Sequence, residues 1–314
     1  MLASYFGSLN ISALFRACPG GIAQGLIWGV MALGVYLTFR ILDFADLSVD
    51  GSFATGGAVS IMLILSGVNP ELTLLACFAA GCIAGIVTGL LNTKLGIPAI
   101  LAGILTQISL YSINLNIMGR ANQALNVNKV VLHFTSNAKF LWRTIGICAV
   151  FCAVIIAILY WYLGTEHGSA LRATGNNPNM SRAQGINTKS MTVIALALSN
   201  GLVAVSGGIL SQYQGFADIN MGRGAIVVGL AAVIIGEVLR QALLGKYTSF
   251  AIQLTFIVIG AIIYYLVYVF VLWLKFPAND MKLLTAIVVA AFLAVPYLRD
   301  QKKNSFARLK KQGD

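Results

Sequence analysis

Apolar residues run almost unbroken through nine stretches, at 22–40, 50–66, 70–92, 98–118, 143–163, 190–212, 225–244, 249–275 and 281–298, and polar residues gather between them. About 20 apolar residues carry a helix across a bilayer, and lipid offers no partner to a free backbone group, so these stretches are expected to be helical. The pattern predicts an all-α, polytopic membrane protein with about eight or nine transmembrane or re-entrant helices. The second and seventh stretches are glycine-rich and bordered by Asp, so they are expected to be short or re-entrant.

Two glycine stripes recur at helical spacing, Gly21, Gly25, Gly29 and Gly81, Gly85, Gly89. Glycines four apart share a helix face and let a second helix approach closely. A longer similarity joins distant parts of the chain. "DFADLSVDGSFATGGAV" begins at Asp43 and "GFADINMGRGAIVVGLA" at Gly215, an offset of 172 that also pairs Leu26 with Leu198, Gly29 with Gly201 and Ala32 with Ala204. The matching spans are the first and the sixth, so the two copies run in opposite directions. Inverted repeats of this kind place a transport path at the interface of the halves.

Composition agrees with a lipid solvent. The 314 residues are 58% hydrophobic and 10% charged, with mean hydropathy +0.85, where a soluble domain carries roughly 25% charged residues. The net charge of +11 is therefore no sign of nucleic-acid binding. Six of the 21 basic residues lie in the final stretch (Arg299, Lys302, Lys303, Arg308, Lys310, Lys311), a pattern that reads as a cytoplasmic tail facing anionic lipid. Counting spans back from that tail puts 164–189 on the cytoplasmic side. The basic segment 119–142 and the N-terminus then fall outside. The organisation expected is an N-terminal segment 1–20 lying along the membrane surface, one transmembrane domain over 21–298, and a basic tail over 299–314.

Catalytic chemistry finds no footing. The five cysteines, Cys18, Cys77, Cys82, Cys148 and Cys152, have no His or acid company, so neither a metal site nor a disulfide framework is expected. His133 and His167 are separated by a predicted span. No G-x-x-x-x-G-K-[ST] phosphate loop occurs, so any ATP must be hydrolysed on another chain.

The one long polar interruption, "GTEHGSALRATGNNPNMSRAQGINTKS" over 164–190, reads as a short helix with both ends specified. Asn177 is a good N-cap, Pro178 suits the first helical position, and Gly185 can take the left-handed conformation that closes a helix. An earlier turn over Ser169–Thr174 is expected to stop in the same way at Gly175. A stiff two-turn helix, parallel to the membrane on the cytoplasmic side, is the result.

"SALRATGNNPNMSRAQGINT" resembles the cytoplasmic coupling loop of the branched-chain amino-acid permease family of ABC importers. "GLIWGVMALGVYLTFRILDFADLSVDGSF" resembles that family's first span and following motif, in the version of its uncharacterised and aromatic amino-acid branch. Asp43 and Asp46 stand where the general motif has Asn and His, which weakens any carry-over of a branched-chain substrate. The resemblance implies a homodimeric permease in the bacterial cell membrane, served by two cytoplasmic ABC ATPase subunits carrying ATP and Mg and by an extracytoplasmic substrate-binding protein. Arg172, Gly175, Asn177, Pro178, Met180, Arg182 and Gly185 would form the ATPase-coupling element.

Candidates for the translocation path are Asp43, Asp46, Asp50, Gln107, Asn114 and Asp218. At spacings of three and four the first three acids are expected to share one helix face, as a polar gate, as an attraction for a substrate ammonium, or as a solvated helix start. Glu237 is expected to pair with Arg240 at the end of its helix, and Trp28 and Tyr36 to anchor at the bilayer interface. The basic segment Arg120–Arg143 is a candidate dock for the binding protein. Sugars, nucleosides and vitamins are alternative cargoes, and an ion-driven carrier using the Asp cluster is the rival class.

Overall fold

The computed structural model describes residues 11–125, 132–137, 139–245 and 249–274, with isolated positions between 283 and 294. The predicted ninth span, Lys129 and the basic tail fall wholly or mostly outside the described residues. Helix α1 runs Ile11–Tyr36 and closes in a π turn, Leu37–Ile41. It begins well before the predicted start at 22 and passes through Pro19, so residues 11–20 are helical and continuous with the first span. There follow α2 (Val49–Leu65), α3 (Pro70–Thr93), α4 (Ala99–Met118), strand β1 (Asn122–Ala124) and α5 (Leu141–Gly164). The polar middle gives α6 (Glu166–Asn176) and α7 (Pro178–Ala183); then come α8 (Thr188–Gln214), β2 (Phe216–Asp218), α9 (Ala225–Leu244) and α10 (Phe250–Trp273).

Seven of these helices are long and apolar enough to cross a membrane, and α2 is a shorter apolar helix. Its 17 residues reach about 26 Å at the helical rise, less than the roughly 30 Å of a hydrocarbon core. Hydrogen bonds fix where it starts. The Ser48 hydroxyl donates to Asn200 Oδ1 at 3.2 Å, and Gln212 Nε2 donates to Ser60 at 3.0 Å. Both pairs are 152 positions apart, so α2 runs parallel to α8 and begins near its midpoint. Residues 42–48 therefore turn back from the end of α1 into the interior. Helix α2 is short, as its glycine-rich pattern predicts, whereas the seventh stretch, expected to be short as well, forms α9, which is long enough to cross a membrane.

Side-chain bonds display the repeat directly. Ser206 Oγ donates to the Ile27 carbonyl at 2.8 Å, and Ser199 Oγ to the Gly34 carbonyl at 2.7 Å. The offset of 172 carries Ile27 to Ser199 and Gly34 to Ser206, so the repeat operation exchanges the two bonds. The turn after each first helix matches as well. Asp46 Oδ1 accepts from the Ser48 N–H at 2.9 Å, and Asp218 Oδ1 accepts from the Asn220 N–H at 2.7 Å, each pair the counterpart of the other. Asp50 and Gly222, also counterparts, touch: a Cβ on Gly222 would strike the Asp50 carbonyl. Equivalent residues meet only at the axis relating two copies, so the pseudo-two-fold passes here.

The glycine stripes act as expected. Gly21, Gly25 and Gly29 seat α1 on α10 at Val269, Ile262 and Val258, and Gly81, Gly85 and Gly89 seat α3 on α8 at Asn200, Leu196 and Val193. The closest approach is at Gly56 of α2, where any side chain would overlap the Ala204 backbone. Replacing Gly56 with Val is therefore expected to cost at least about 1–3 kcal/mol, the usual range for overpacking. It should lower the melting temperature of detergent-purified protein, measured by size-exclusion after heating. Gly164→Ala, with open space around it, should leave that temperature nearly unchanged.

Candidate functional site

The polar middle folds as a helical pair at the starting end of α8, opposite the end where β1 and β2 pair antiparallel with Asn122 across from Asp218. Thr165 opens α6, its hydroxyl accepting from the Gly168 N–H. The turn expected to stop at Gly175 is instead part of this eleven-residue helix. Gly175 marks a contact and not an end: lacking a Cβ, it lets α6 rest on the Ile41 carbonyl, at the last π turn of α1. The break comes at Asn177, extended at φ −153°, ψ 94°, whose Oδ1 accepts from the Met180 N–H at 3.0 Å. Pro178 follows at the first position. At the far end Gly185 takes φ +82°, with Gly185 N–H bonded to Arg182 and Ile186 N–H to Ser181, the Schellman closure. Of α7 only Ser181 is buried, while Met180 is 63% exposed. Arg182 Nε reaches Thr188 Oγ1 at 3.0 Å and ties the helix to α8.

The acids do not share a helix face, because residues 42–48 are not helical. Asp43 sits at φ +56° and lines an open cavity beside Arg40, Arg172 and Gly175, on the α6 side. Asp46 is 2% exposed and closed in by the Ser48 hydroxyl and the Asn200 amide, the latter at 2.7 Å. Asp50 lies in the first turn of α2 and accepts the N–H groups of Gly224 and Ile226, both at 2.9 Å. It thereby caps the N-terminus of α9 from another element, where a negative charge is favoured. Glu237 pairs with Arg40 at 2.9 Å, not with Arg240, joining α9 to the π turn of α1. Nor is Trp28 an interface anchor: it is buried and stacked on Phe53 at 4.8 Å. Tyr36 is likewise buried, against Phe250.

Asp50, Gln107 and Asn114 come together. With Tyr111, Asn220 and Arg223 they line a cavity of about 460 Å³ between α2, α4 and the turn after β2. Asn114 is 1% exposed, yet neither polar atom of its amide has a hydrogen-bond partner among the described residues. An orphaned buried polar group costs about 1–3 kcal/mol, so Asn114 is a costly feature of the wall of this cavity. Asp218 lies apart, in a second cavity of about 590 Å³ with Gln24, Trp28, Tyr265 and Tyr268. Sequence reasoning missed Asn200, Tyr111 and Arg223. Asn200 was visible as an amide in mid-span, and Arg223 belongs to the second repeat copy.

Residues 19–293 match the profile of the family described as branched-chain amino acid transport system / permease component. The chain belongs to that family. This permease is 39% identical over 288 residues to the tyrosine transport system permease protein of Clostridioides difficile (strain R20291), covering 92% of this chain and 94% of that one. It is 30% identical to the probable branched-chain amino acid transport permease protein LivH of Methanocaldococcus jannaschii, over 61% and 64% of the two chains. Identity to the ribose import permease protein RbsC of Escherichia coli (strain K12) is 28%, over 60% and 59%. The solved structure titled PsaBC from Streptococcus pneumoniae in complex with Fab shares the fold, at 15% identity and TM-score 0.50, over 94% and 95%.

Removing the cap by Asn177→Ala should cost the permease's α7 about 1 kcal/mol. Amide exchange over 178–184 is expected to quicken about five- to tenfold, read by hydrogen-exchange mass spectrometry, with exchange in α8 unchanged.

Proposed function

We propose that this chain is the membrane-spanning subunit of an ABC importer for amino acids of the aromatic kind, working as a dimer with two ATPase subunits. In this reading α6 and α7 are the element the ATPase moves, and a binding protein delivers cargo at the opposite end, where Arg120 is exposed. The tail and the α6–α7 pair face the cytoplasm, and ATP and Mg are held by the partner. The observation that carries the proposal is α7 itself. It is capped at both ends, exposed on nearly its whole surface, and joined through Gly185 to the 27-residue α8. A rigid, protruding element is what two-state switching by an external motor requires.

The amino-acid cargo rests on likeness to the tyrosine permease over nearly the full length of both chains. The ion-driven alternative loses its main support, because Asp43, Asp46 and Asp50 face three different surroundings. Affinity purification from native membranes in mild detergent tests the coupling. A soluble ATPase should accompany the wild type and be lost with Met180→Glu or Arg182→Glu. Recovery of the same ATPase with all three proteins would remove α7 from the interface.

A further inference from the structure

We propose that the cavity between α2, α4 and the turn 219–224 binds the headgroup of a zwitterionic amino acid whose side chain is apolar or aromatic. The inference rests on the amino-acid reading above and assigns it a place. Three groups converge there with complementary needs. Asn114 borders the cavity, and its buried amide, which offers both donors and an acceptor, has no hydrogen-bond partner among the described residues. Arg223 is exposed at the same cavity, and its guanidinium makes no hydrogen bond or ion pair among the described residues. Its planar fork suits a carboxylate. Asp50 spends one lone pair of each oxygen on the Gly224 and Ile226 N–H groups, and a carboxylate has about four such sites. The remaining ones can accept an ammonium.

An α-amino acid carries a carboxylate and an ammonium on one carbon, with donors and acceptors for the amide between them. A neutral sugar would satisfy Asn114 but leave Arg223 without a counter-charge. Ile104, Ile108 and Tyr111 supply an apolar wall on the α4 side, and about 460 Å³ lies within the usual range for small-molecule sites. A site on a transport path must also release its occupant, so moderate binding is expected, about 10–100 μM. An ammonium drawn to Asp50 would touch the group that caps α9, which puts the ligand at the junction of the two halves.

The test is equilibrium binding of radiolabelled L-tyrosine to the full-length chain in nanodiscs of phosphatidylethanolamine and phosphatidylglycerol. Saturable binding is expected. Tyramine, which lacks the carboxylate, and 4-hydroxyphenylpropionate, which lacks the ammonium, should each compete at least about tenfold less well, and ribose not at all. Arg223→Gln and Asn114→Leu should each weaken binding about tenfold, while Lys94→Gln, outside the cavity, should bind as the wild type does. The proposal is overturned if wild-type chain shows no saturable L-tyrosine binding, or if tyramine competes as well as tyrosine. Neither outcome depends on a variant that folds poorly. Uptake by the complete system separates the two levels. Tyrosine import without binding here removes this site alone, whereas import of ribose and of no amino acid removes the amino-acid reading as well.

Discussion

The carboxylate of Asp50 accepts the first N–H groups of α9, and the crossing of the two half-repeats is organised around that contact. Backbone that is not helical cannot face lipid, yet this chain carries two such segments, 42–48 and 215–224, toward its interior. Each must find partners within the protein. On one side Asp50 supplies them across the axis. On the other, Ser48 and Asn200 close around Asp46. With those groups satisfied, the glycines can bring backbones into contact, as at Gly56 against Ala204 and Gly222 against Asp50. Packing is tightest where polar satisfaction is most demanding.

The same crossing connects the exposed helical pair to the interior. The Ile41 carbonyl carries Gly175 of α6 and immediately precedes residues 42–48, which lead to Asp46 and then Asp50. A second route runs from α7 through Arg182 and Thr188 into α8, and Asn200 lies on that helix. Both routes end at one cluster of hydrogen bonds. The Arg40–Glu237 pair adds a third tie, from the π turn to α9.

Much of this was legible in the sequence because it depends on local patterning. Apolar runs, glycine stripes, the offset of 172, and the caps at Asn177 and Gly185 each follow from spacing alone. What was not legible depends on where a helix stops. The run Ile41–Asp50 reads equally well as helix, and only its return toward the α8 midpoint separates Asp43, Asp46 and Asp50. Glu237 and Arg240 are ideally spaced on one helix, but Arg40, 197 positions away, offers the closer partner. Trp28 carries the marks of an interfacial residue, and its burial follows from Phe53 arriving on a helix that begins mid-depth.

The turn that follows each first helix keeps its backbone in both copies, while the side chains packed beside it differ. Asp46 and Asp218 form the same turn, but Asn200 fills the space beside the first, and its counterpart Trp28 leaves a hollow beside the second. A fully symmetric inverted duplication would treat the two sides of a bilayer alike and could have no intrinsic direction. One amide exchanged for one indole seals the turn that enters from the α6–α7 side and leaves its twin open toward the other. This divergence between the two halves gives the two turns different openings, and with them the molecule a direction.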